Sequence, residues 1–320
     1  MEKITVLDTS VATANLGDQI IVDAVRKELK ELFPQDMFFQ VPTHTPVGRY
    51  GRRLIKESKH SFVAGTNLLT SHFHLIRSKS WDLYPLDIFQ LKDITLLGTG
   101  WSTYQKDVSV LQKYAYKRIL STSKLHSVRD SYTLKKLQAA GITNVINTGC
   151  ATMWRLTPEH CSEIPARKAK NVVFTLTDYS KDIIKDQKMI DILKSEYETV
   201  YFWPQGSGDM CYFNQLNSDG IKILPPILED YDALLKSDLD VEFVGTRLHG
   251  GIRAMQFKRK ATIIGIDNRA EEKKKDFNIR VVSRNTIESL PNWLNDNEKT
   301  QLTINFDAIN KWKAQFYLGK

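Results

Sequence analysis

Val241-Glu242-Phe243-Val244-Gly245-Thr246-Arg247-Leu248-His249-Gly250-Gly251-Ile252 is the stretch that decides the fold class. Its opening residues read as a buried strand. The run breaks at Gly245, presents a guanidinium and then an imidazole, and starts a helix over Gly250 to Phe257 with two glycines in its first turn. A strand passing through a glycine turn into a helix is half of a βαβ unit.

The same grammar recurs in both directions. Ile4-Thr5-Val6-Leu7 reads as a strand leading through Asn15-Leu16-Gly17-Asp18 into a helix near Gln19 to Phe33, with Asp18 as the N-cap. Ser61 to Ala64 ends at Gly65-Thr66-Asn67, and Ile94 to Leu97 ends at Gly98-Thr99-Gly100. Leu125 to Val128 ends at Arg129-Asp130 and feeds a helix to Ala140, and Asn144 to Ile146 ends at Asn147-Thr148-Gly149. A linker at Thr157 to Lys170, with two prolines and a charge cluster, separates a second series of strands at Asn171–Thr175, Thr199–Trp203, Ile221–Leu224 and Ala261–Ile266. Strands alternating with helices imply parallel sheets covered on both faces. The tail from Gln301 to Leu318 carries Ile304, Ala308, Ile309, Trp312, Phe316 and Tyr317 as an approximate helical stripe that packs across one domain. Gly48 to Arg53 reads as a basic, glycine-bearing loop, and Arg77 to Leu91 as a long aromatic-rich connection.

A chain of 320 residues is long for one core and suits two domains. Its 42% hydrophobic and 26% charged residues are a globular composition. No apolar run approaches the roughly 20 residues of a membrane span, and the first residues turn acidic at Asp8 with no apolar signal core after them, so a cytoplasmic location is expected. Cys150, Cys161 and Cys211 show no Cys-x-x-Cys spacing and read as reduced thiols. The net charge of +8 suits anionic partners: nucleic acid, an anionic membrane surface, or phosphorylated and carboxylated ligands. A basic solvated surface is the simpler account, and with no zinc-finger or RNA-recognition signature, nucleic acid is not expected.

In open α/β sheets ligands bind beyond the carboxyl ends of the strands, where helix N-termini offer free N–H groups. Those ends collect Gly17, Asp18, Thr66, Asn67, Thr99, Gly100, Arg129, Thr148 and Gly149 in the first half, and Asp178, Gln205, Gly206, Arg247, His249, Asp267 and Asn268 in the second. Arg247 can grip a carboxylate or phosphate with two parallel hydrogen bonds, and His249 can trade protons near neutral pH. Equally, Arg247 can pair with an internal carboxylate and His249 can cap a helix. Arg129 is either a second anion clamp or the structural partner of Asp130. His72 and His74 lack a third ligand nearby, so no metal site is expected. Gly98 and Gly100 lack the dinucleotide spacing and no Gly-Lys-Ser/Thr loop exists, which disfavours nicotinamide and nucleoside-triphosphate enzymes and leaves no expected cofactor.

Four segments in order, Asn15-Leu16-Gly17-Asp18, Gly65-Thr66-Asn67-Leu68-Leu69, Ser127-Val128-Arg129-Asp130, and Gly245-Thr246-Arg247-Leu248-His249-Gly250 followed by Ile263 to Asp267, make the chain resemble the polysaccharide pyruvyl transferase family. The resemblance implies an α/β fold of two Rossmann-like domains facing across a cleft, similar to the glycosyltransferase-B architecture. It implies residues 1–156 on the acceptor side, 157–300 on the donor side, and 301–320 as the C-terminal helix. It also implies transfer of a pyruvyl group from phosphoenolpyruvate to a sugar or lipid-linked oligosaccharide of a surface-polysaccharide precursor, forming a ketal; if the acceptor is lipid-linked, the +8 charge would favour peripheral contact at the inner face of the membrane. Arg247 and Arg129 would bind the donor's carboxylate and phosphate, and His249 would be the acid/base. The remaining substrate contacts would come from Gly17, Asp18, Thr66, Asn67, Thr99, Gly100, Gln205 and Gly250. The turns at Gly65-Thr66-Asn67 and Gly98-Thr99-Gly100 depart from the longer glycine runs common in the family. Two rival readings are a nucleotide-sugar glycosyltransferase, with Trp203 and Tyr201 near its base pocket, and a non-catalytic sugar-binding relative.

Overall fold

Alternation of inward and outward side chains builds the first unit of the computed structural model, which describes residues 1–73, 81–266 and 274–317. This unit comprises Met1–Thr13, Ile21–Trp154 and the stretch from Ile304 onward. Its strands are Lys3–Asp8 (β1), Met37–Pro42 (β2), His60–Ala64 (β3), Asn67–Leu69 (β4), Ile94–Leu97 (β5), Gly100–Trp101 (β6), His126–Val128 (β7) and Val145–Asn147 (β8). The main sheet is parallel with order β2-β1-β3-β5. Ile4, Val6, Phe62 and Ala64 face one apolar cluster, while Leu7, Val63, Ile94 and Leu96 face the other, as a two-residue period requires.

Leu16–Leu32 (α1) covers the first face through Ile21, Val25, Leu29 and Leu32. Gly48–Glu57 (α2), Pro85–Gln90 (α3), Val110–Ile119 (α4) and Ser131–Ala139 (α5) cover the second face through Leu54, Ile55, Ile88, Ala115, Tyr116, Ile119 and Leu137. Four local expectations change: the connection read at Arg77 to Leu91 contains α3, the linker read at Thr157 to Lys170 contains a short helix at Pro158–Ser162, and two more follow. The segment Gly48 to Arg53 is helical rather than a loop, because Gly51, Leu54 and Ile55 supply a buried stripe. Helix α1 begins at Leu16, so Asp18 stands in its first turn, where a carboxylate favours the helix dipole, and the side chain accepting from Gly17 N–H is that of Asn15, at 3.0 Å.

β7 joins β5 largely through side chains. Leu96 N–H donates to Nδ1 of His126 at 3.1 Å, Nε2 of the same ring lies 2.9 Å from Ser121 O, and Gly98 N–H donates to Ser127 Oγ at 2.9 Å. A backbone N–H aimed at Nδ1 fixes the proton on Nε2, so the neutral imidazole replaces a strand's backbone groups.

The second unit comprises Ala14–Ile20 and Arg155–Thr303. Its helices are Pro158–Ser162 (α6), Ile183–Glu196 (α7), Asp209–Phe213 (α8), Leu228–Lys236 (α9), Leu248–Gln256 (α10) and Leu290–Leu294 (α11). Its strands are Asn171–Thr175 (β9), Thr199–Phe202 (β10), Lys222–Ile223 (β11), Val241–Gly245 (β12), Ala261–Gly265 (β13) and Val281–Ser283 (β14). All pairs are parallel, in the order β11-β10-β9-β12-β13-β14. That is the doubly wound Rossmann order, and it reverses between β9 and β12. Val172, Phe174, Phe202, Val244, Ile264 and Val282 pack on α7, α8 and α11.

The segment Ala14–Ile20 joins this unit by backbone bonds, Leu16 N–H to Gln205 O and Ser207 N–H to Ala14 O, each 2.9 Å. Near the C-terminus, Phe306–Ala314 (α12) belongs to the first unit. Its Trp312 and the following Phe316 join Phe33, Phe62 and Trp154 in an aromatic cluster.

Burial pushes the His126 imidazole from its ordinary 6.5 down to about 4. The stability this neutral ring contributes is therefore present above about pH 6.5 and lost as pH falls toward 4, a change of about 3 kcal/mol. In His126→Asn, whose Oδ1 can still accept from Leu96, the fall in Tm between pH 6.5 and 4 is expected to flatten; a pH profile as steep as that of the wild type would contradict this role for His126.

Candidate functional site

The carboxyl ends of β9, β10 and β12 meet at the reversal of strand order, the crevice position in such sheets. β12 ends in Gly245-Thr246-Arg247, and Arg247 turns its buried guanidinium back under the loops after β9 and β10. Nε donates to Leu176 O at 2.9 Å, and Nη2 donates to Asp178 Oδ1 at 2.9 Å and to Asp209. The ring of Tyr179 lies 5.2 Å from the guanidinium carbon. Asp209, at the start of α8, is fully buried and also accepts from the backbone N–H groups of Gly206, Gln205 and Asp178 at 2.7, 3.2 and 3.1 Å. Burial pushes its carboxyl upward, and Arg247 with those N–H groups opposes the rise. Internal pairing with carboxylates, one of the two readings left open by the sequence, therefore occupies Nη2, and a backbone carbonyl takes Nε. Among the described residues no hydrogen bond engages Nη1.

Gly206 permits this approach, since a Cβ there would overlap the Arg247 guanidinium. The Gln205 amide lies between two other candidate glycines: a Cβ on Gly17 would stand 2.8 Å from its Nε2, and one on Gly250 would stand 3.0 Å from its Oε1. Nε2 donates to Asn15 Oδ1 at 3.0 Å, whereas the buried Oε1 has no partner among the described residues. His249, half-buried, is the second residue of α10. Behind that helix start, Tyr231 donates its hydroxyl to Gly250 O at 2.8 Å and stacks on the fully buried Trp203, centroids 3.9 Å apart. The structure thus brings Gly17, Gln205, Arg247 and Gly250 together in the second unit, with Asp18 in the adjoining helical turn and His249 beside Gly250.

In the first unit Thr66, Asn67, Thr99, Gly100 and Arg129 form their own cluster. Gly100 N–H donates to Thr66 O at 2.8 Å, and Arg129 N–H donates to Thr99 O at 3.2 Å. The Arg129 side chain crosses Gly100 so closely that a Cβ there would overlap Arg129 and stand 2.7 Å from Asn67 Oδ1. Asp130 caps α5 by accepting from Thr133 N–H at 2.8 Å and meets Arg129 Nε at 3.4 Å, so the structural reading of Arg129 also has a physical basis. Asn67 Oδ1 and Thr99 Oγ1 are buried with no partner among the described residues, and Thr66, β-branched, sits at φ 49°. Orphaned polar atoms and left-handed β-branched residues cost free energy, which marks this loop cluster as constrained by something other than stability.

Other candidates lie elsewhere. Thr148 is buried and bonded to Ser127 Oγ at 2.5 Å, a structural role, and His72 is exposed. His74, Asp267, Asn268 and the beginning of the connection at Arg77 lie outside the described residues. No group of three or more metal-ligating side chains occurs among the described residues. The sequence reading passed over Asp209 and Tyr231. Asp209 reaches back to the N–H groups of Gly206 and Gln205, three and four residues earlier, from the first turn of α8, where an acid is favoured by the helix dipole.

Residues 15–268, spanning both clusters, match the profile of the polysaccharide pyruvyl transferase family. The chain belongs to that family. As a polysaccharide pyruvyl transferase family member it is a transferase by class. No match to a curated protein was found. Over 100% of its length the chain resembles the S. aureus MnaA–UDP structure, of which it covers 97%, with TM-score 0.53 and 11% identity. It likewise resembles the UDP-GlcNAc 2-epimerase from Neisseria meningitidis bound to UDP-GlcNAc, each chain covered 100%, with TM-score 0.53 and 10% identity. These likenesses are of fold: α/β with parallel sheets, glycosyltransferase-B-like.

Removing one partner of a buried ion pair typically costs about 3–5 kcal/mol. Because Asp178 still faces Arg247, Asp209→Asn is expected at the lower end, about 3 kcal/mol, in urea denaturation. A loss below about 1 kcal/mol, the level of an exposed pair, would show that the pair does not hold these loops.

Proposed function

We propose that this transferase moves a pyruvyl group from phosphoenolpyruvate to a sugar of a surface-polysaccharide precursor, bridging two of its hydroxyls as a ketal. The observation that carries the reading is the placement of His249. It stands two residues after an anchored Arg247, at the N-terminus of a helix whose first N–H groups favour negative charge.

In the proposed reaction His249 protonates the donor's methylene carbon, which leaves C2 cationic. A sugar hydroxyl attacks C2 and gives up its proton, phosphate departs with its bonding electrons, and a second hydroxyl closes the ring with loss of its own proton. One group must give and take protons while fixed cations hold the anion. Two carboxylates already offset Arg247, so its main task is to hold the turns after β9 and β10 in place, with Nη1 left to meet the donor. In the first unit Arg129 is a second guanidinium able to bind an anion, with Thr66, Asn67, Thr99 and Gly100 as polar contacts beside it. Gly17, Asp18, Gln205 and Gly250 supply those of the second unit. The acceptor is a sugar or a lipid-linked oligosaccharide, presented at the inner face of the membrane.

A nucleotide-sugar glycosyltransferase would need a ring free to stack on the base. Of the two rings named for that task, Trp203 is fully buried and already stacked on Tyr231, which removes it and favours the pyruvyl reading, while Tyr201 stays half-buried.

Incubated with phosphoenolpyruvate and lipid-linked or nucleotide-linked sugar acceptors, the wild type is expected to release phosphate. His249→Ala should slow that release by about 10²–10⁴-fold, the usual worth of acid/base assistance. Equal release by both would remove His249 from the chemistry. Thermal stabilisation by a nucleotide but not by phosphoenolpyruvate would favour the glycosyltransferase instead.

A further inference from the structure

We propose that the outer face of the α2–α3–α4 layer is where this protein meets a lipid bilayer carrying acidic headgroups. This deepens the reading above by naming the surface that reaches the membrane. The three helices lie in one layer on the first sheet. Their inner residues Leu54, Ile55, Ile88, Ala115, Tyr116 and Ile119 share one core cluster. Arg52 of α2 bonds Asp87 of α3 at 3.0 Å, and α3 packs against α4. Whatever these helices do not bury in that core they present away from the sheet on the same side.

What they present is unlike an ordinary solvated helix face. α4 turns out Val110, Leu111, Tyr114, Lys117 and Arg118, and it contains no acid. Val110 is 85% exposed. α3 turns out Leu86 and Phe89, the latter 63% exposed. α2 turns out Arg49, Arg53 and Lys56, one helical stripe, beside Tyr50 at 68% exposure. Together the three helices hold seven Lys and Arg against two acids, five of the chain's net eight positive charges. Of those acids Asp87 is buried against Arg52, and Glu57 is bonded to Lys3 and Arg53. By contrast α1, on the opposite face of the same sheet, carries four acids against three bases.

Exposed apolar and aromatic side chains ringed by Lys and Arg, with acids absent or neutralised, are what an interfacial surface requires. The rings and aliphatic groups enter the headgroup boundary while the cations meet acidic phosphates. A neutral apolar partner would make no use of the cations, whereas an acidic bilayer engages both the apolar groups and the cations at one surface.

The test is sedimentation with vesicles, with no donor or acceptor present, so its outcome is independent of the transferase chemistry. Wild type is expected to bind vesicles of phosphatidylglycerol and phosphatidylcholine, to release them as salt rises, and to leave pure phosphatidylcholine vesicles unbound. Arg49→Glu with Arg53→Glu, and separately Phe89→Ser with Val110→Ser, should each weaken binding by roughly tenfold or more. Ile184→Ser, an equally exposed apolar change on α7, should leave binding intact. Circular dichroism confirms that each variant is folded. The proposal is overturned if wild type ignores acidic vesicles, or if both double variants bind as wild type does. It is also overturned if sedimentation equilibrium shows a dimer that Phe89→Ser with Val110→Ser dissolves, since the face would then be a contact between copies.

Discussion

A single buried guanidinium ties together the three loops at the crevice of the second unit's sheet. Arg247 leaves β12, reaches Leu176 and Asp178 beyond β9, and meets Asp209 beyond β10. Stripping these charges of water is costly, and the arrangement stands because the donors and acceptors are matched: Asp209 accepts three backbone N–H groups besides the guanidinium. A doubly wound sheet leaves a crevice where its strand order reverses, but the fold alone does not shape that crevice. Here the ion pair shapes it, the side chain at 206 must be absent for it to form, and the imidazole of His249 emerges two residues later.

The first unit uses a related device with a different balance. Arg129 also lies directly over a glycine, Gly100, at the end of a strand. Around it are a threonine in the left-handed region and two buried oxygens without partners among the described residues. The strand that carries Arg129 is fastened to its sheet by the neutral ring of His126 and the hydroxyl of Ser127. Side chains thus do for β7 what backbone groups do for the inner strands, which makes its attachment sensitive to acid.

Much of this was legible in the sequence, for a definite reason. Buried parallel strands are continuous apolar runs, and the turns that end them are rich in glycine and small polar residues, so strand ends and hence the candidates Gln205, Arg247, Gly250 and Gly100 could be read from pattern alone. The partners were harder to see. Nothing about Asp209 in isolation marks it as the counter-charge of a residue 38 positions away, because pairing across a parallel sheet joins segments that local periodicity cannot connect. Gly48 and Gly51 are poor helix formers and point to a loop, yet packing of Gly51, Leu54 and Ile55 against the core overrides that propensity in α2. The segment at Asn15 falls early in the chain but packs with residues near Gln205, a consequence of tertiary bonding that sequence order hides.

The central claim is that the proposed donor is held where β9, β10 and β12 end. Hydrogen–deuterium exchange with and without phosphoenolpyruvate addresses it directly. Exchange at residues 205–209 and 246–251 is predicted to slow when the donor is added, while α7 and α9 of the same unit stay unchanged. Unaltered exchange at both of those loops, with protection appearing elsewhere or nowhere, would contradict it.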